Sequence, residues 1–555
     1  MKNQILNFII LGILFILSFG FNKVATAATR TVSSSSELQS AINSSQSGDI
    51  IQVRGGNYGG FSVSGSGKTI KNYPGETPTV EGTVNLSGSN NVVEGFVIRN
   101  GGGLGCVELS GTRNTVRNND IYSCTQGGIV MWDAHSGYFL IEGNKIHEWK
   151  GIGNWDGIEA HGTPYVIVKN NIIYNPGPEG DGADFIDAGS QTGSTIEDYT
   201  HHMVYDGNTV YCTGSCPSNP YENRVKIDKA PTFSILRRNT IYGAGFTFYV
   251  KPFVNDALYS NSVINCRNQC ILFWQWGDGP SGWGGFAVKN NIFAFSTNYL
   301  MQHSRDPADG AYPSIRMEHN VYRPSSQGII WALLNGETNY GTSLAEFNRW
   351  RSATGQEPNG GKFSTQTLNQ LFVNPSTTDF RLAAGSDAID AGVALTTTRS
   401  GGSGTIVPVQ ESFYFYNGYG MTDPDTIQIG SNIVKVVSID ESGNNITVDR
   451  SISWTAGVGV SLPYNGAAPD AGAVEYGSGG STGPAPTPSP IPSPNPTPSG
   501  TLKGDLNNDK IVNSLDWSIM NSRWYTNDTT ADLNSDGIIN SLDFSIMNGN
   551  WLKNG

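Results

Sequence analysis

A short motif built around one asparagine recurs through the middle of the chain and restricts the possible folds more than any other feature. In each copy an apolar or aromatic residue stands three positions before the asparagine and another stands two positions after it. The asparagines are Asn119, Asn144, Asn171, Asn208, Asn239, Asn261, Asn291 and Asn320, and they lie 22 to 37 residues apart. Such a repeat is typical of proteins that stack one small structural unit per repeat. Because helical periodicity is scarce and the chain has 69 glycines, we expect each unit to be a coil of short strands joined by loops of variable length.

The copies VRNNDIY, VKNNIIY and LRRNTIY resemble the coils of right-handed parallel β-helices of the pectate-lyase-like superfamily, in which asparagine side chains stack at a turn. The resemblance implies an all-β fold, with the β-helix as the catalytic domain over residues 28–477. The runs IVKVVSID and NITVDRSI alternate like strands and predict a small β insert at about 405–463. Many activities and some adhesive proteins use this scaffold, so the repeat indicates the fold and not the chemistry.

The N-terminus has the layout of a secretory signal. Lys2 precedes an apolar run from Ile5 to Phe21, and the small-residue sequence Ala25-Thr26-Ala27 follows it. We expect cleavage after Ala27, so that residues 1–27 form a signal peptide and the mature protein is secreted. An uncleaved membrane anchor is the alternative, and no other segment is apolar enough to span a bilayer.

The net charge of -13 over 555 residues argues against a nucleic-acid partner. It also means that an anionic substrate needs a local cation in order to bind. The six cysteines lack the paired spacing of a zinc site, which favours structural disulfides. Cys106 with Cys124 and Cys212 with Cys216 are plausible pairs by spacing, but the sequence leaves the connectivity open.

Near the C-terminus, after a proline-rich linker over residues 478–500, a pattern of oxygen-bearing side chains occurs twice. The first loop offers Asp505, Asn507, Asp509, Asn513 and Asp516, and the second offers Asp532, Asn534, Asp536, Asn540 and Asp543, each 27 residues later. Oxygen ligands at positions 1, 3, 5, 9 and 12 of a tight loop suit Ca²⁺. An apolar helix is expected to follow each loop.

This duplicated loop and helix closely resembles a type I dockerin over residues 501–555, which makes the chain's second domain small and α-helical. The resemblance implies two bound Ca²⁺ ions and docking onto a cohesin module of a scaffoldin, with extracellular, cellulosome-associated localisation. The implied cohesin contacts are Ser514, Leu515, Ser541 and Leu542. The first loop departs from the pattern because Lys510 stands where the second loop has Gly537. We therefore expect the first loop to bind Ca²⁺ more weakly. A calcium-stapled module without a partner is the alternative.

Carboxylates recur beside the asparagine repeats. Aligning the coils on their asparagines puts Asp133, Glu159, Asp187 and Asp228 in one column, with Trp132, Ile158, Ile186, Ile227 and Phe248 facing inward. Strand alternation then directs the carboxylates to solvent. Adjacent parallel strands lie ~4.8 Å apart, so these charges repel unless a cation lies among them. We predict one Ca²⁺ site, with Glu159, Asp187 and Asp228 as the main ligands and Asp133 nearby.

Cationic and aromatic residues share this predicted face. The candidate bases are Lys226, Lys229 and Lys251, and the candidate substrate-binding residues are Arg224, Tyr249, Trp274, Trp276, His135 and His161. Such a mixture suits a groove for an acidic polysaccharide. The alternative is a solvated ladder of ion pairs without a binding role, since such ladders are common on sheet faces.

Residues 55–324 resemble the calcium-dependent polysaccharide lyases, most nearly the family 9 pectate lyases. The segment VKIDK, with Lys226, Asp228 and Lys229, matches their base-bearing strand. The resemblance implies β-elimination on a uronic-acid plant polysaccharide such as pectate, with Lys226 as the base. A lysine and arginine pattern in alginate lyases would instead pair Lys226 with Lys251.

Other functions remain open at this point. A glycoside hydrolase resembling the family 28 polygalacturonases could use Asp187 and Asp228 as its acid pair. Uronate C5-epimerisation shares the same proton abstraction. From another class, the β-helix could be a non-catalytic glycan-binding module docked on a cellulosome.

Overall fold

The computed structural model describes most of the chain between residues 27 and 477. The ranges are 27–132, 136–150, 155–177, 184–189, 200–213, 225–227, 233–244, 248–250, 255–274, 285–304, 315–326, 328–333 and 339–477. Further on it describes 503–506, 512, 514–524, 526, 528–534, 537–548 and 550. The chain forms two compact units, Met1–Ala485 and Pro486–Gly555. The predicted linker, and the predicted signal peptide apart from Ala27, lie outside the described residues.

Short parallel strands build the first unit, and successive coils add strands to three sheets. Sheet 1 has 12 strands: Thr29–Val32, Ile50–Val53, Thr69–Asn72, Val92–Glu94, Thr115–Arg117, Phe139–Glu142, Val166–Lys169, Val204–Asp206, Ile235–Arg237, Asp256–Tyr259, Phe286–Lys289 and Ile315–Glu318. Sheet 2 contains Val97–Arg99, Asp120–Tyr122, Lys145–His147, Ile172–Tyr174, Thr209–Tyr211, Thr240–Tyr242, Ser262–Cys266, Ile292–Ser296, Val321–Arg323 and Lys362–Phe363. Sheet 3 contains Gly105–Leu109, Gly127–Trp132, Ile158–His161, Ile186–Gly189, Val225–Ile227, Phe248–Val250, Gln269–Trp274, Tyr299–Ser304 and Ile329–Leu333. The predicted parallel β-helix is therefore confirmed.

Two long strands, Gly56–Val63 and Pro78–Leu86, run through both sheet 2 and sheet 3. Their register shifts between Gly59 and Phe61, where the strands bend. A Cβ on Gly60 would lie 2.5 Å from the Thr83 carbonyl oxygen, so the bend requires glycine there. Helix α1, Ser35–Ser44, packs Leu38, Ala41 and Ile42 into the core beside these strands.

The repeated asparagines form a buried ladder at the corner between sheets 1 and 2. Asn208 is typical: its Oδ1 accepts the backbone N–H of Asn171 at 3.0 Å, and its Nδ2 donates to the Val168 carbonyl at 2.8 Å. The same pattern links every asparagine from Asn119 to Asn320. Each side chain thus satisfies backbone groups that the turn would otherwise leave buried and unbonded.

The residue before each ladder asparagine turns the chain through a left-handed conformation. These residues are Asn118, Gly143, Asn170, Gly207, Arg238, Ser260, Asn290 and His319, with φ between 52 and 68°. Glycine and asparagine tolerate this region best, which explains why several copies of the motif read Asn-Asn or Gly-Asn.

Glu357 closes the ladder after its last asparagine. Its Oε1 accepts hydrogen bonds from Asn320 Nδ2 at 2.7 Å and from the Tyr322 hydroxyl at 2.6 Å. Burial raises the pKa of Glu357 to about 7. The Glu357 carboxyl group therefore occupies the position that the asparagine amide of a further coil would take.

The outward column of sheet 1 alternates in charge. Strand register aligns Lys71, Glu94, Arg117, Glu142, Lys169, Asp206, Arg237, Tyr259, Lys289 and Glu318. Arg117 pairs with Glu94 at 2.9 Å and Lys289 with Glu318 at 2.8 Å. Opposite charges on neighbouring strands stabilise this register relative to one in which a strand is shifted along its neighbour.

The predicted β insert forms a six-stranded antiparallel sheet over sheet 1 and begins earlier than expected. Its strands are Thr396–Thr397, Gly402–Pro408, Thr426–Ile429, Asn432–Asp440, Asn445–Trp454 and Gly459–Ser461. Its apolar face packs on outward residues of sheet 1, including Leu140, Ile167 and Val204. Asp425 of the insert also bonds Arg237 Nη2 at 2.6 Å.

A short helix and a hairpin cover the later strands of sheet 2: α3, Leu368–Leu371, and the hairpin strands Phe372–Asn374 and Asp379–Leu382. Helix α2, Leu344–Thr354, instead packs Phe347 and Trp350 into the main core. Short 3-10 turns occur at Pro375–Thr377 and Gly418–Gly420. Cys106 and Cys124 form a disulfide, as their spacing suggested, and Cys266 pairs with Cys270. Cys212 is also disulfide-bonded.

The second unit contains helices α4, Ser514–Ser522, and α5, Ser541–Asn548. Its small core consists of Val512, Met520, Ala531, Ile539 and Met547. In the part of the chain that the structure describes, no helix is long and apolar enough to cross a membrane.

Candidate functional site

Two neighbouring strands of sheet 3 carry the predicted carboxylates. Glu159 in Ile158–His161 and Asp187 in Ile186–Gly189 are strand partners. Ile158, Ala160, Ile186 and Ala188 alternate with them and lie in the hydrophobic core. Alternation therefore places Glu159 and Asp187 together on the outward side, as the sequence predicted.

These carboxylates are buried, which corrects the expectation that they point to solvent. Glu159 is 4% exposed and Asp187 is 5% exposed. Two further buried carboxylates stand at the starts of the same strands, Asp156 at 2% and Asp184 at 1%. The outward side of sheet 3 is thus a buried acidic region at these coils and not a solvated ladder.

Asp156, Asp184 and Asp187 form a compact group that we name the acidic cluster. One oxygen from each of the three carboxylates lies within 4.8 Å of the others. Asp156 Oδ1 also accepts the Asp184 backbone N–H at 2.6 Å, which fixes the two strand starts against each other. Three carboxylates this close repel strongly in a buried place unless a cation compensates them.

The donor set suits a hard divalent cation such as Ca²⁺. Ca²⁺ binds oxygen ligands at about 2.3–2.6 Å, so two ligand oxygens on opposite sides of the ion lie at most about 5 Å apart. The 4.8 Å limit of the acidic cluster fits that span. Asp156, Asp184 and Asp187 are the residues that could hold the ion.

Glu159 belongs to a different contact. Its Oε1 lies 3.2 Å from His161 Nε2, and Asp187 Oδ2 lies 3.9 Å from the same nitrogen. Gly189 makes room for the imidazole, since a Cβ there would lie 2.6 Å from His161 Cε1. Glu159 thus faces the predicted substrate-binding histidine and lies outside the group of three that converges.

Strand register also corrects the predicted column. Val130, and not Asp133, is the partner of Glu159, and Lys226, and not Asp228, is the partner of Asp187. Trp132 pairs with His161, so its position belongs to the outward row and Ile129 and Met131 fill the core instead. The number of residues between the asparagine and the sheet 3 strand differs from coil to coil. An alignment on the asparagines therefore slips by two or three positions.

Lys226 consequently stands beside the acidic cluster in the outward row. Its backbone lies between those of Asp187 and Tyr249, its partners on the two neighbouring strands. Asp228 lies outside the described residues, so the hydrolase pair of Asp187 and Asp228 stays a prediction. Lys226 is the one candidate base whose backbone falls among the described residues.

Several predicted residues lie outside the described residues: Asp133, His135, Arg224, Asp228, Lys229, Lys251 and Trp276. For Lys226, Tyr249 and Trp274 the structure describes the backbone alone. Their roles stay predictions.

The sequence interpretation missed Asp156 and Asp184. A signal was available, because Asp156 precedes Glu159 by three positions and Asp184 precedes Asp187 by the same interval. In both coils an aspartate stands at the strand start and a second carboxylate follows three positions later. Because the two coils are neighbours, this pattern predicts a cluster of carboxylates at the strand starts.

In the second unit, the last carboxylate of each loop is fully buried, at 0% exposure for Asp516 and Asp543. Asp543 accepts the backbone N–H groups of Leu533 at 2.7 Å, Asn534 at 3.1 Å and Asn540 at 2.9 Å. Burial alone would raise the pKa of Asp543, but these backbone donors lower it overall. The carboxylate thereby organises the loop around itself.

The first loop repeats one of these contacts, because Asp516 Oδ1 accepts the Leu506 N–H at 2.7 Å. Asp505, Asp532, Asn534 and Asn540 are described, whereas Asn507, Asp509, Asn513 and Asp536 lie outside the described residues. The predicted cohesin contacts Ser514, Leu515, Ser541 and Leu542 lie at the starts of α4 and α5, where the structure describes the backbone alone.

Comparisons with known proteins agree with both units. A family model described as a right-handed β-helix region matches residues 40–195. A model described as a dockerin type I domain matches residues 503–550. No curated protein matches the sequence.

Solved structures that are similar to the chain include the following three. An alginate lyase from Paenibacillus sp. str. FPU-7 is 15% identical with a TM-score of 0.32, covering 56% of this chain and 99% of its own. A polygalacturonase from Erwinia carotovora ssp. carotovora is 13% identical with a TM-score of 0.38, covering 56% and 96%. The pectate lyase Pel9A is 12% identical with a TM-score of 0.33, covering 82% and 98%.

Type I dockerin domains typically bind calcium, and they bind cohesin modules of scaffoldins. The buried position-12 carboxylates described above belong to this kind of domain. The chain therefore joins a right-handed β-helix to a type I dockerin domain.

Proposed function

We propose that the protein is a secreted, cellulosome-associated polysaccharide lyase that cleaves a uronic-acid plant polysaccharide such as pectate by calcium-assisted β-elimination. The observation that carries the proposal is the acidic cluster of Asp156, Asp184 and Asp187, with Lys226 as the register partner of Asp187. A cation site next to a lysine is the combination that this chemistry needs.

β-Elimination removes the C5 proton next to a uronate carboxylate and expels the glycosidic oxygen at C4. That proton is too weakly acidic to leave while the carboxylate keeps its full charge. Ca²⁺ held by the acidic cluster would supply the charge that neutralises the carboxylate.

The residues of the chain supply the remaining steps. Lys226 takes the C5 proton through its neutral amine, which requires a lowered pKa of the kind that nearby positive charge produces. His161 contacts Glu159 and occupies the space that Gly189 leaves, and it binds the substrate at the edge of the cluster. Activity should accordingly be highest at alkaline pH.

The dockerin supports the cellular part of the proposal. A type I dockerin attaches its protein to a scaffoldin, and cellulosomes lie outside the cell. Residues 1–27 serve as the export signal in this scheme.

The test is an absorbance screen of the full chain with pectate, methylated pectin, rhamnogalacturonan and alginate, with and without EDTA. Calcium-dependent ultraviolet absorbance from the unsaturated product is the expected result. New reducing ends without that absorbance would replace the lyase by a hydrolase, for which the neighbouring carboxylates Glu159 and Asp187 are the favouring observation. Altered uronates without cleavage would indicate an epimerase, and no reaction would indicate a binding module.

The base is tested by comparing Lys226→Ala with Lys229→Ala and Lys251→Ala. Loss of the base should lower turnover by a factor of ~10² to 10⁴ while substrate binding persists. Near-normal turnover of Lys226→Ala, with loss in one of the other two, would move the role to that lysine.

A further inference from the structure

A large cleft lies at the corner between sheets 1 and 2, away from the outward side of sheet 3 that carries the acidic cluster. Its volume is about 1050 Å³. One wall is the β-helix corner at residues 169–172, 206–207, 209, 237–238 and 259–260. The other is formed by the insert and residues 461–465, 469 and 472–475. The β-helix wall spans four successive coils, a length of roughly 15 Å at ~4.8 Å per strand.

The charges on the floor of this cleft are already balanced. Arg237 bonds Asp206 at 2.9 Å and Asp425 at 2.6 Å, and Arg238 binds Asp206 through its Nε at 2.7 Å. Arg237 is 1% exposed, so its charge is neutralised inside the wall and does not reach a ligand. Two guanidinium groups and two carboxylates thus neutralise each other.

The groups at the rim carry both signs. Lys169 lines one wall, and Asp423 and Glu475 line the other; Lys169 makes no ion pair with any residue that the structure describes. A polyanion gains little from such a lining, in contrast to the cation-binding acidic cluster of sheet 3. An uncharged ligand fits such a lining better than a polyanion does.

The remaining lining mixes apolar faces with hydrogen-bonding groups. Pro424, Leu462 and Pro463 stand beside Tyr464 and Asn465. Sugars are recognised by this combination, because their C–H faces pack on aromatic and apolar surfaces while their hydroxyls need donors and acceptors. A volume of about 1050 Å³ is large for a single small ligand and fits an oligosaccharide.

We infer that this cleft is a second glycan site, which binds a neutral oligosaccharide independently of the acidic cluster. Tyr464 is the residue on which the sugar packs. The inference does not rest on the proposed lyase activity, because the two sites share no residue.

The experiment titrates the full-length protein with neutral arabino-, galacto-, xylo-, gluco- and manno-oligosaccharides by calorimetry. At least one should bind, and Tyr464→Ala should weaken its affinity about 5- to 10-fold or more, the loss expected for one aromatic contact. Tyr476→Ala is the matched control, since Tyr476 is 42% exposed and lies outside the cleft lining. Asp187→Asn should leave the affinity unchanged.

Hydrogen exchange on the unaltered protein guards against a folding defect in Tyr464→Ala. A bound oligosaccharide should protect backbone amides within 423–426, 461–465 and 472–475, which line the cleft. Three results would overturn the inference: no neutral oligosaccharide binds, binding is lost in Asp187→Asn but kept in Tyr464→Ala, or protection appears only around the strands of sheet 3.

Discussion

Single side chains decide the chemistry of the acidic region, and the three carboxylates of the acidic cluster differ in role from Glu159. Asp156, Asp184 and Asp187 converge, whereas Glu159 contacts His161. Burial makes each of these carboxylates depend on its particular partners, since an uncompensated buried charge is costly. Conservative substitutions at the two kinds of position should therefore behave differently.

Asp184→Asn should raise the calcium concentration needed for half-maximal activity by about 10-fold or more, because it removes one charge from the cation site. Glu159→Gln should leave this calcium requirement near that of the unaltered protein. Calcium titrations of activity for both variants make the comparison. A large shift for Glu159→Gln with none for Asp184→Asn would restore Glu159 as a ligand.

Gly189→Ala tests the space beside His161. The added Cβ would lie 2.6 Å from the imidazole, so we expect a loss of about 1–3 kcal/mol in stability and reduced substrate binding. Gly59→Ala is the control, because a Cβ on Gly59 meets nothing within 4 Å. Thermal melts and binding titrations of both variants give the answer. Equal behaviour of the two would mean that His161 does not need this space.

At this scale the sequence predicted the residue types better than their pairing. Glu159 and Asp187 are partners as expected, because Asn144 and Asn171 precede them by nearly the same number of residues. Asp133 and Asp228 were misplaced, because the loops before their strands differ in length and strand pairing depends on where each strand begins. Burial of the carboxylates was unforeseen, since alternation tells which side a residue takes and not what covers it.

Among the elements, the asparagine ladder was the most predictable, because one residue type at one turn satisfies the same backbone groups in every coil. Its end was not predictable, since Glu357 lies 37 residues beyond Asn320 and outside the motif. The register of the six-stranded insert was equally hidden, because antiparallel strands of a single insert leave no repeat to align.

Glu357 should make stability depend on pH. Its pKa is raised to about 7 from 4.5, so between these values the folded protein holds a proton that the unfolded chain has released. The stabilising contribution is full below pH 4.5 and is lost as the pH rises through 7. Glu357→Gln keeps the acceptor oxygen without the charge.

Melting temperatures of Glu357→Gln should therefore fall less between pH 4.5 and 7 than those of the unaltered protein. Glu346→Gln serves as the control, because Arg349 lowers the pKa of Glu346 to about 2, below this window. An unchanged slope in Glu357→Gln would show that Glu357 does not titrate there.

The two dockerin loops should differ in calcium binding. Gly537 has φ 89° and donates its N–H to Asp532 at 2.8 Å, whereas the first loop has Lys510 at the equivalent position. We expect Asp543→Ala to weaken cohesin binding more than Asp516→Ala, because it disables the better-formed loop. Surface plasmon resonance with an immobilised cohesin measures both, and the reverse order would contradict the expected asymmetry.

For the whole molecule, the division into two compact units predicts two separable responses to chelation. EDTA should abolish cohesin binding by unfolding the dockerin, since its loops are organised around the metal ligands. The main thermal transition of the β-helix should persist at a lower temperature, because the acidic cluster loses its cation while the asparagine ladder and the hydrophobic core stay intact. Undiminished cohesin binding after confirmed metal removal would contradict this prediction.

The direction of the asparagine ladder has a consequence for synthesis. Each asparagine N–H donates to the side chain of the next coil, so a coil emerging from the ribosome stays incomplete until its successor has been translated. The growing end therefore presents unpaired backbone groups throughout elongation, and Glu357 is the point at which this exposure stops. A chain stalled before Glu357 would carry an open sheet end able to pair with another nascent chain, which makes such intermediates natural clients of chaperones.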